Sequence, residues 1–396
     1  MFSARTSWDR TANPLAIAVE RARGSGRALI DLTESNPTHA GIFDTEPLVA
    51  ELGHPRGALY EPAPLGHEQA RKAVAAYYAA RQIEVDPEHV VLSASTSEAY
   101  SWMMSLIADA GDAVLVPRPS YPLLGWIAAS QGVRLGTYPL VRDAGFRIDM
   151  DELRAAVDER TRAIVVIHPN NPTGSFVRRD EAAALAALAK DRGLALFVDE
   201  VFGNHALAGV PKEGVASFLE LSSAGAPLVF VLGGLSKTLL LPQCKLGWTV
   251  VSGDPHLVRE ALARLELIAD TFLSVATPVQ LALPALLRNE PAVRRALLER
   301  LAQNLAALDR AIADVGPSAP VRRLPVEGGW YAILEVPRLH DEDTWVELLV
   351  QEDGVIVHPG YFFDFDRDGF LVLSLLPPVA HFREGAARLM RRLTAT

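Results

Sequence analysis

The sequence predicts an α/β protein in which a mostly parallel central sheet carries helices on both faces and is joined to a smaller α+β domain. Three observations predict it. Between residues 66 and 252, short apolar runs alternate with helical segments. Those runs are unbroken rather than alternating, as in strands buried on both faces. After about residue 290 the alternation gives way to one long amphipathic helix followed by short strands. The 396 residues suffice for two domains at roughly 100–200 residues each.

In order along the chain, strands are expected at residues 90–92, 113–116, 163–167, 194–198, 228–232 and 248–251. The segments 66–82, 97–108, 151–157 and 179–191 are long and rich enough in Ala, Leu and Glu to be the crossover helices, so βαβ units follow. Val293, Leu297, Leu301, Leu305, Leu308 and Ile312 then recur at helical spacing until Gly316-Pro317 ends the helix. Strands at 330–336, 355–357 and 370–376, a helix near 344–351 and a closing helix from His381 complete the second domain. The expected division is a large domain over 55–285 and a small one built from 1–54 and 286–396.

Composition narrows the function. Hydrophobic residues make up 49% and charged residues 22%, the balance of an ordinary globular protein, which excludes disordered and collagen-like readings. The net charge of −10, with no Lys/Arg run, argues against a nucleic-acid partner. The lone cysteine, Cys244, permits neither an internal disulfide nor a Cys-rich metal cluster and suits a reducing compartment. No signal-peptide apolar region opens the chain, and nowhere do about 18 apolar residues run together. No membrane or metal is expected, and the cytoplasm is the expected location.

In an open parallel sheet ligands gather at the carboxyl ends of the strands, and polar residues follow several of the apolar runs. Residues 93–98 (SASTSE) read either as an anion site at a helix start or as a plain N-cap with a capping box. Residues 168–174 (HPNNPTG) hold amide side chains in a fixed turn. Asp199 and Glu200 follow a wholly apolar run, where a carboxylate needs a cation or a protonated ring nitrogen as partner. Lys237 follows Gly233-Gly234-Leu235-Ser236, where burial lowers an amine pKa and makes a Schiff-base nucleophile; an isolated lysine is otherwise solvent-exposed. The segment 233–238 lacks the first glycine of a Walker A loop, and Gly24-Ser25-Gly26 lacks the third glycine of a dinucleotide fingerprint.

Taken in order, HPNNPTG (168–174), VDEVF (198–202) and LGGLSKTLLLPQCKLGW (232–248) make the chain resemble the class I/II aminotransferases, pyridoxal-phosphate (PLP) enzymes of fold type I. The likeness covers nearly the whole chain. It implies that Lys237 binds the cofactor as a Schiff base and shuttles the proton, that Asp199 pairs with the ring nitrogen, and that Asn171 donates to the ring oxygen. Tyr121 would stack on the ring; its alternative is a partly buried core aromatic. Thr96 and Ser97, with Ser236 or Lys245, would hold the phosphate. Tyr60 would reach the neighbouring subunit's phosphate, so a homodimer is implied.

Three positions depart from the family pattern. Phe202 stands where a tyrosine commonly donates to the ring oxygen, Lys245 where an arginine binds phosphate, and Val372 where an arginine clamps the substrate carboxylate. The expected activity is ping-pong transfer from an amino donor, taken as an L-amino acid, to a keto acid. Arg322 or Arg323 would then replace the missing clamp. The alternatives are an amine donor, or a PLP lyase built on the same carbanion chemistry. A DNA-linked sensor is disfavoured because residues 1–60 hold no basic helix-turn-helix pattern.

Overall fold

A computed structural model of the chain describes every residue except 222, 274, 318 and 396. Its large sheet has eight strands in the order Val90–Ser93, Gly247–Ser252, Val229–Gly234, Ala195–Asp199, Thr161–Ile167, Ala113–Arg118, Arg134–Val141 and Arg147–Ile148. The pairings from Val229–Gly234 through Arg134–Val141 are all parallel. Gly247–Ser252 runs antiparallel to both its neighbours, so it begins at the edge where the others end.

The unbroken apolar runs are explained by two cores. Val114, Val116, Val165, Phe197, Phe230 and Leu232 enter one cluster, whereas their chain neighbours Leu115, Val166, Leu196, Val198, Val229 and Val231 enter the other. Successive side chains of a strand point to opposite faces, so a sheet covered on both sides needs apolar residues at every position. The crossover helices Thr96–Ile107, Met150–Ala156 and Arg179–Arg192 supply part of that cover. Gly233 is required by close packing: a Cβ there would lie 2.5 Å from the indole Nε1 of buried Trp248.

A second, antiparallel sheet has the order Arg322–Arg323, Tyr331–Glu335, Phe370–Ser374, His358–Pro359. The N-terminal strand Ile30–Asp31 pairs in parallel with Val355–Ile356, which ties the start of the chain to this part of the molecule. The predicted long helix is Glu290–Asp314. Its buried face differs from the predicted one, because Leu305 and Ile312 are only partly buried and Asn304 is fully buried in their stead. The Asn304 amide donates to the carbonyls of Leu375 and Pro377, both at 2.8 Å, and satisfies backbone acceptors just past the strand Phe370–Ser374. No helix among the described residues is long and apolar enough to cross a membrane.

Candidate active site

Five strand exits converge on one edge of the large sheet, and the antiparallel strand enters there. A cavity of about 320 Å³ opens at that edge, between it and the small sheet. Thr96, Ser97, Tyr121, Asn171, Asp199, Phe202, Ser236, Lys237 and Lys245 all line it. Tyr60 does not; it is 72% exposed.

Lys237 sits on the short helix Leu235–Thr238, directly after the strand Val229–Gly234. Its Nζ lies 4.3 Å from the centroid of the Trp330 ring and 5.8 Å from that of Phe202. Burial pushes its ammonium down to about 8, against the opposing pull of the Asp199 charge. A larger uncharged fraction near neutral pH makes this amine a better nucleophile than a surface lysine.

Asp199 ends the neighbouring strand. One carboxylate oxygen accepts from the Val201 N–H at 3.1 Å and the other from the Tyr100 hydroxyl at 3.2 Å. Burial nevertheless holds its carboxyl above the ordinary value; these two bonds and the Lys237 charge oppose that shift. The pair is therefore governed by burial on both sides: each charge favours the other, and neither fully offsets the desolvation of its partner. A cation placed against Asp199 would complete the compensation. Glu200, next in the chain, points to the opposite face, where it accepts from the Ser217 hydroxyl at 2.8 Å and the Phe218 N–H at 2.7 Å.

The HPNNPTG segment divides its labour. The Nε2 of His168 donates to the Val215 carbonyl at 3.0 Å while its Nδ1 accepts from the Val177 N–H at 3.2 Å, which fixes a neutral tautomer. Burial keeps that imidazole uncharged, with a pKa near 4. Asn170 is consumed by the turn, accepting from the Thr173 hydroxyl at 2.9 Å. Asn171 alone faces the cavity, and its Oδ1 is buried without a partner. A buried amide atom left unsatisfied is costly unless a ligand completes it.

At the other end of the cavity the helix Thr96–Ile107 begins. Ser95 caps it, accepting from the Glu98 N–H, while the Glu98 carboxylate accepts from the Ala94 N–H, so the N-cap of 93–98 is present without a capping box, and Thr96 and Ser97 line the cavity. Gly247 keeps this end open: a Cβ there would lie 3.3 Å from the Thr96 nitrogen. Lys245 flanks it from a left-handed backbone with φ of 51° and makes no ion pair among the described residues. Hydroxyls, a helix start and one ammonium form an anion-binding end.

Sequence reasoning missed Tyr100, Trp330, Tyr331 and Ser35, all of which line the cavity. Tyr100 lies one helical turn beyond Thr96, a spacing visible in the sequence; the other three arrive from distant segments. The expected substitute clamp is corrected by the structure. Arg322 is held by Glu335 at 2.6 Å and Arg323 by Asp309 at 2.6 Å, and neither lines the cavity. Both belong to the outer edge strand of the small sheet, where carboxylates across and behind the strand engage them.

Residues 30–386 match the family described as Aminotransferase class I and II. The chain is 25% identical over 389 residues to tyrosine aminotransferase of Mus musculus, covering 94% of this chain and 83% of the relative. It is 28% identical over 386 residues to glutamate-pyruvate aminotransferase AlaA of Haemophilus influenzae, covering 94% and 93%. In fold it superposes on the alanine aminotransferase of Pyrococcus furiosus with a TM-score of 0.88 at 21% identity, over the full length of both chains.

Proposed function

The chain belongs to the class I and II aminotransferases, enzymes that depend on pyridoxal phosphate, and from that premise we propose which of its residues hold the cofactor and move the proton. The observation that carries the assignment is the convergence of Lys237, Asp199 and the unpaired Asn171 amide in one cavity with an anion-binding end. A phosphorylated ring aldehyde with a protonatable nitrogen matches the amine, the carboxylate and the anion-binding end of the cavity. Thr96, Ser97, Ser236 and Lys245 would receive the phosphate, Asp199 would face the ring nitrogen, the Asn171 Nδ2 would donate to the ring oxygen, and Tyr121 would flank the ring face. Bound PLP supplies an aldehyde for amines and, with its ring nitrogen protonated, a sink for the electron pair left on the donor carbon.

In this reading Lys237 would hold the cofactor at rest, and its Nζ would carry the proton between the donor carbon and the cofactor's aldehyde carbon, which flank the donor nitrogen. Trp330 and Phe202 exclude water beside that nitrogen. Asp199 would keep a proton on the ring nitrogen, and the Tyr100 hydroxyl and Val201 N–H hold the carboxylate in place. The same reading divides the chain into 55–285 and 1–54 with 286–396, supported by the confinement of the eight-stranded sheet to 90–252 and of the small sheet to 322–374. It places the enzyme in the cytoplasm as a homodimer. The exposed loop carrying Leu59 and Tyr60 is the segment that would enter the neighbouring subunit's site.

The test is half-transfer. The PLP-loaded enzyme should pass to its pyridoxamine form with an amino donor and return with a keto acceptor; release of ammonia with an olefin or a keto acid would instead support the lyase reading. Two substitutions probe the cofactor contacts. Lys245→Ala should weaken PLP binding roughly 10- to 100-fold, the effect of losing a charge-assisted bond, and an unchanged dissociation constant would remove Lys245 from the phosphate end. Phe202→Tyr adds a hydroxyl to the cavity wall that would stabilise a deprotonated ring oxygen. The pH midpoint of the holoenzyme's visible absorbance change should therefore fall. A constant or higher midpoint would show that this ring faces away from the cofactor.

A further inference from the structure

The two ends of the cavity differ in charge. One end has the hydroxyls of Thr96, Ser97 and Ser236 and the ammonium of Lys245. The other is walled by Tyr121, Trp330, Tyr331 and Ser35, with Leu123 and Leu124 beside them. Among the described residues, Lys237 and Lys245 are the only Lys or Arg side chains that line the cavity. The four remaining positions are serines and a threonine, so no cation is missing from that count.

From the small sheet Tyr331 lines this second end, and Ile333 and Val372 belong to the buried apolar core. In a strand Ile333 shares the face of Tyr331. Ser374 pairs with Tyr331 and Val372 with Ile333, so all four side chains lie on the same side. The Ser374 hydroxyl donates to the Glu34 carbonyl at 2.6 Å, beside Ser35 at the cavity wall. Val372 is fully buried. Arg118, three residues before the cavity-lining Tyr121, is held by Asp364 at 3.2 Å.

An incoming carboxylate at this end would meet aromatic faces, two or three hydroxyls and no guanidinium, and burying an anion so poorly paired is strongly unfavourable. An incoming ammonium meets the reverse. The Trp330 ring already lies 4.3 Å from the Lys237 nitrogen, a face that attracts cations. Resting on the transaminase reading above, we propose that the amino donor is a primary amine without a carboxylate on its nitrogen-bearing carbon, its apolar or aromatic body lodged against Trp330, Tyr331 and Tyr121. The exchange balances as R–CH2–NH2 + R′–CHO → R–CHO + R′–CH2–NH2. The donor carbon loses two electrons and its C–N bond, the acceptor carbon gains both, and no outside oxidant enters. The acceptor meets the same wall, so an aldehyde suits it better than a 2-keto acid.

The test uses the PLP-loaded enzyme and follows loss of the cofactor's visible absorbance in a single turnover. 2-Phenylethylamine and tyramine are compared with L-phenylalanine and L-tyrosine. The amines should react with a second-order rate constant about 10-fold or more above their amino acids. In binding without turnover, 3-phenylpropan-1-ol should bind at least as tightly as 3-phenylpropionate. Val372→Arg should swing both comparisons toward the carboxylates; because that position is buried and the variant can fail to fold, the wild-type comparisons decide. Equal or faster reaction with the amino acids overturns the donor assignment while leaving the transaminase reading intact, and it is the outcome a cation from a second copy of the chain would produce. Absence of reaction with either set, with alanine and glutamate included as donors, overturns both.

Discussion

Lys237→Ala is expected to abolish the borohydride-reducible link between protein and cofactor and to reduce turnover by more than about 10⁴-fold, the upper range for a positioned acid–base group alone, because the nucleophile is removed with it. The expectation comes from geometry. The lysine sits on the short helix that follows a fully buried strand, lies over the Trp330 ring and is close enough to Asp199 to feel its charge. Its amine loses its proton near 8, so capture of the cofactor by the apoprotein should rise with pH and level off above about that value. Removing the ammonium leaves the Asp199 carboxylate buried without its counter-charge, a loss of about 3–5 kcal/mol for a fully buried pair, so the variant apoprotein should melt below the wild type and the missing link is read on protein that is still folded. Labelling of a different lysine by borohydride in the variant would sink the assignment.

Much of the site was legible because its chemistry sits at strand ends. An apolar run followed at once by a charged or amide side chain marks the carboxyl edge of a parallel sheet, which is why Asn171, Asp199 and Lys237 stood out. The sequence could not separate neighbours. Asp199 and Glu200 are equivalent as letters, but the period of two along the strand turns the first to the cavity and the second to Ser217. Asn170 and Asn171 divide in the same way, one consumed by its own turn and one left unpaired.

What remained hidden came from tertiary contact or from weak patterning. The strand Arg134–Val141 lies toward the sheet edge, exposes most of its residues and contains Gly136 and Pro139, so no apolar run announces it. Trp330 and Tyr331 follow a pair of glycines in a segment predicted only as a strand, and nothing local ties them to a lysine nearly a hundred positions earlier. The proposed replacement of the missing arginine by Arg322 or Arg323 failed for a related reason. Proximity in sequence to the cavity-lining Tyr331 does not reveal that the antiparallel partner of Arg322 is Glu335, which captures its guanidinium.

Asp199→Asn is the second large effect, and it separates two roles that Lys237→Ala removes together. The amide keeps the shape of the carboxylate and can still accept from Tyr100 or Val201, but it cannot carry charge. Losing one partner of a buried ion pair typically costs 3–5 kcal/mol, which corresponds to a fall in turnover of about 10²- to 10⁴-fold if the pairing is fully expressed in the transition state. Lys237 is untouched, so borohydride should still fix the cofactor to it. The Asp199 charge also holds the Lys237 proton on, so its removal should move the pH midpoint for cofactor capture below about 8, not above it. Slow turnover, retained labelling and a lowered midpoint together identify a carboxylate that tunes the cofactor. Turnover within tenfold of wild type would place the ring nitrogen away from Asp199, and the electron sink would then need another explanation.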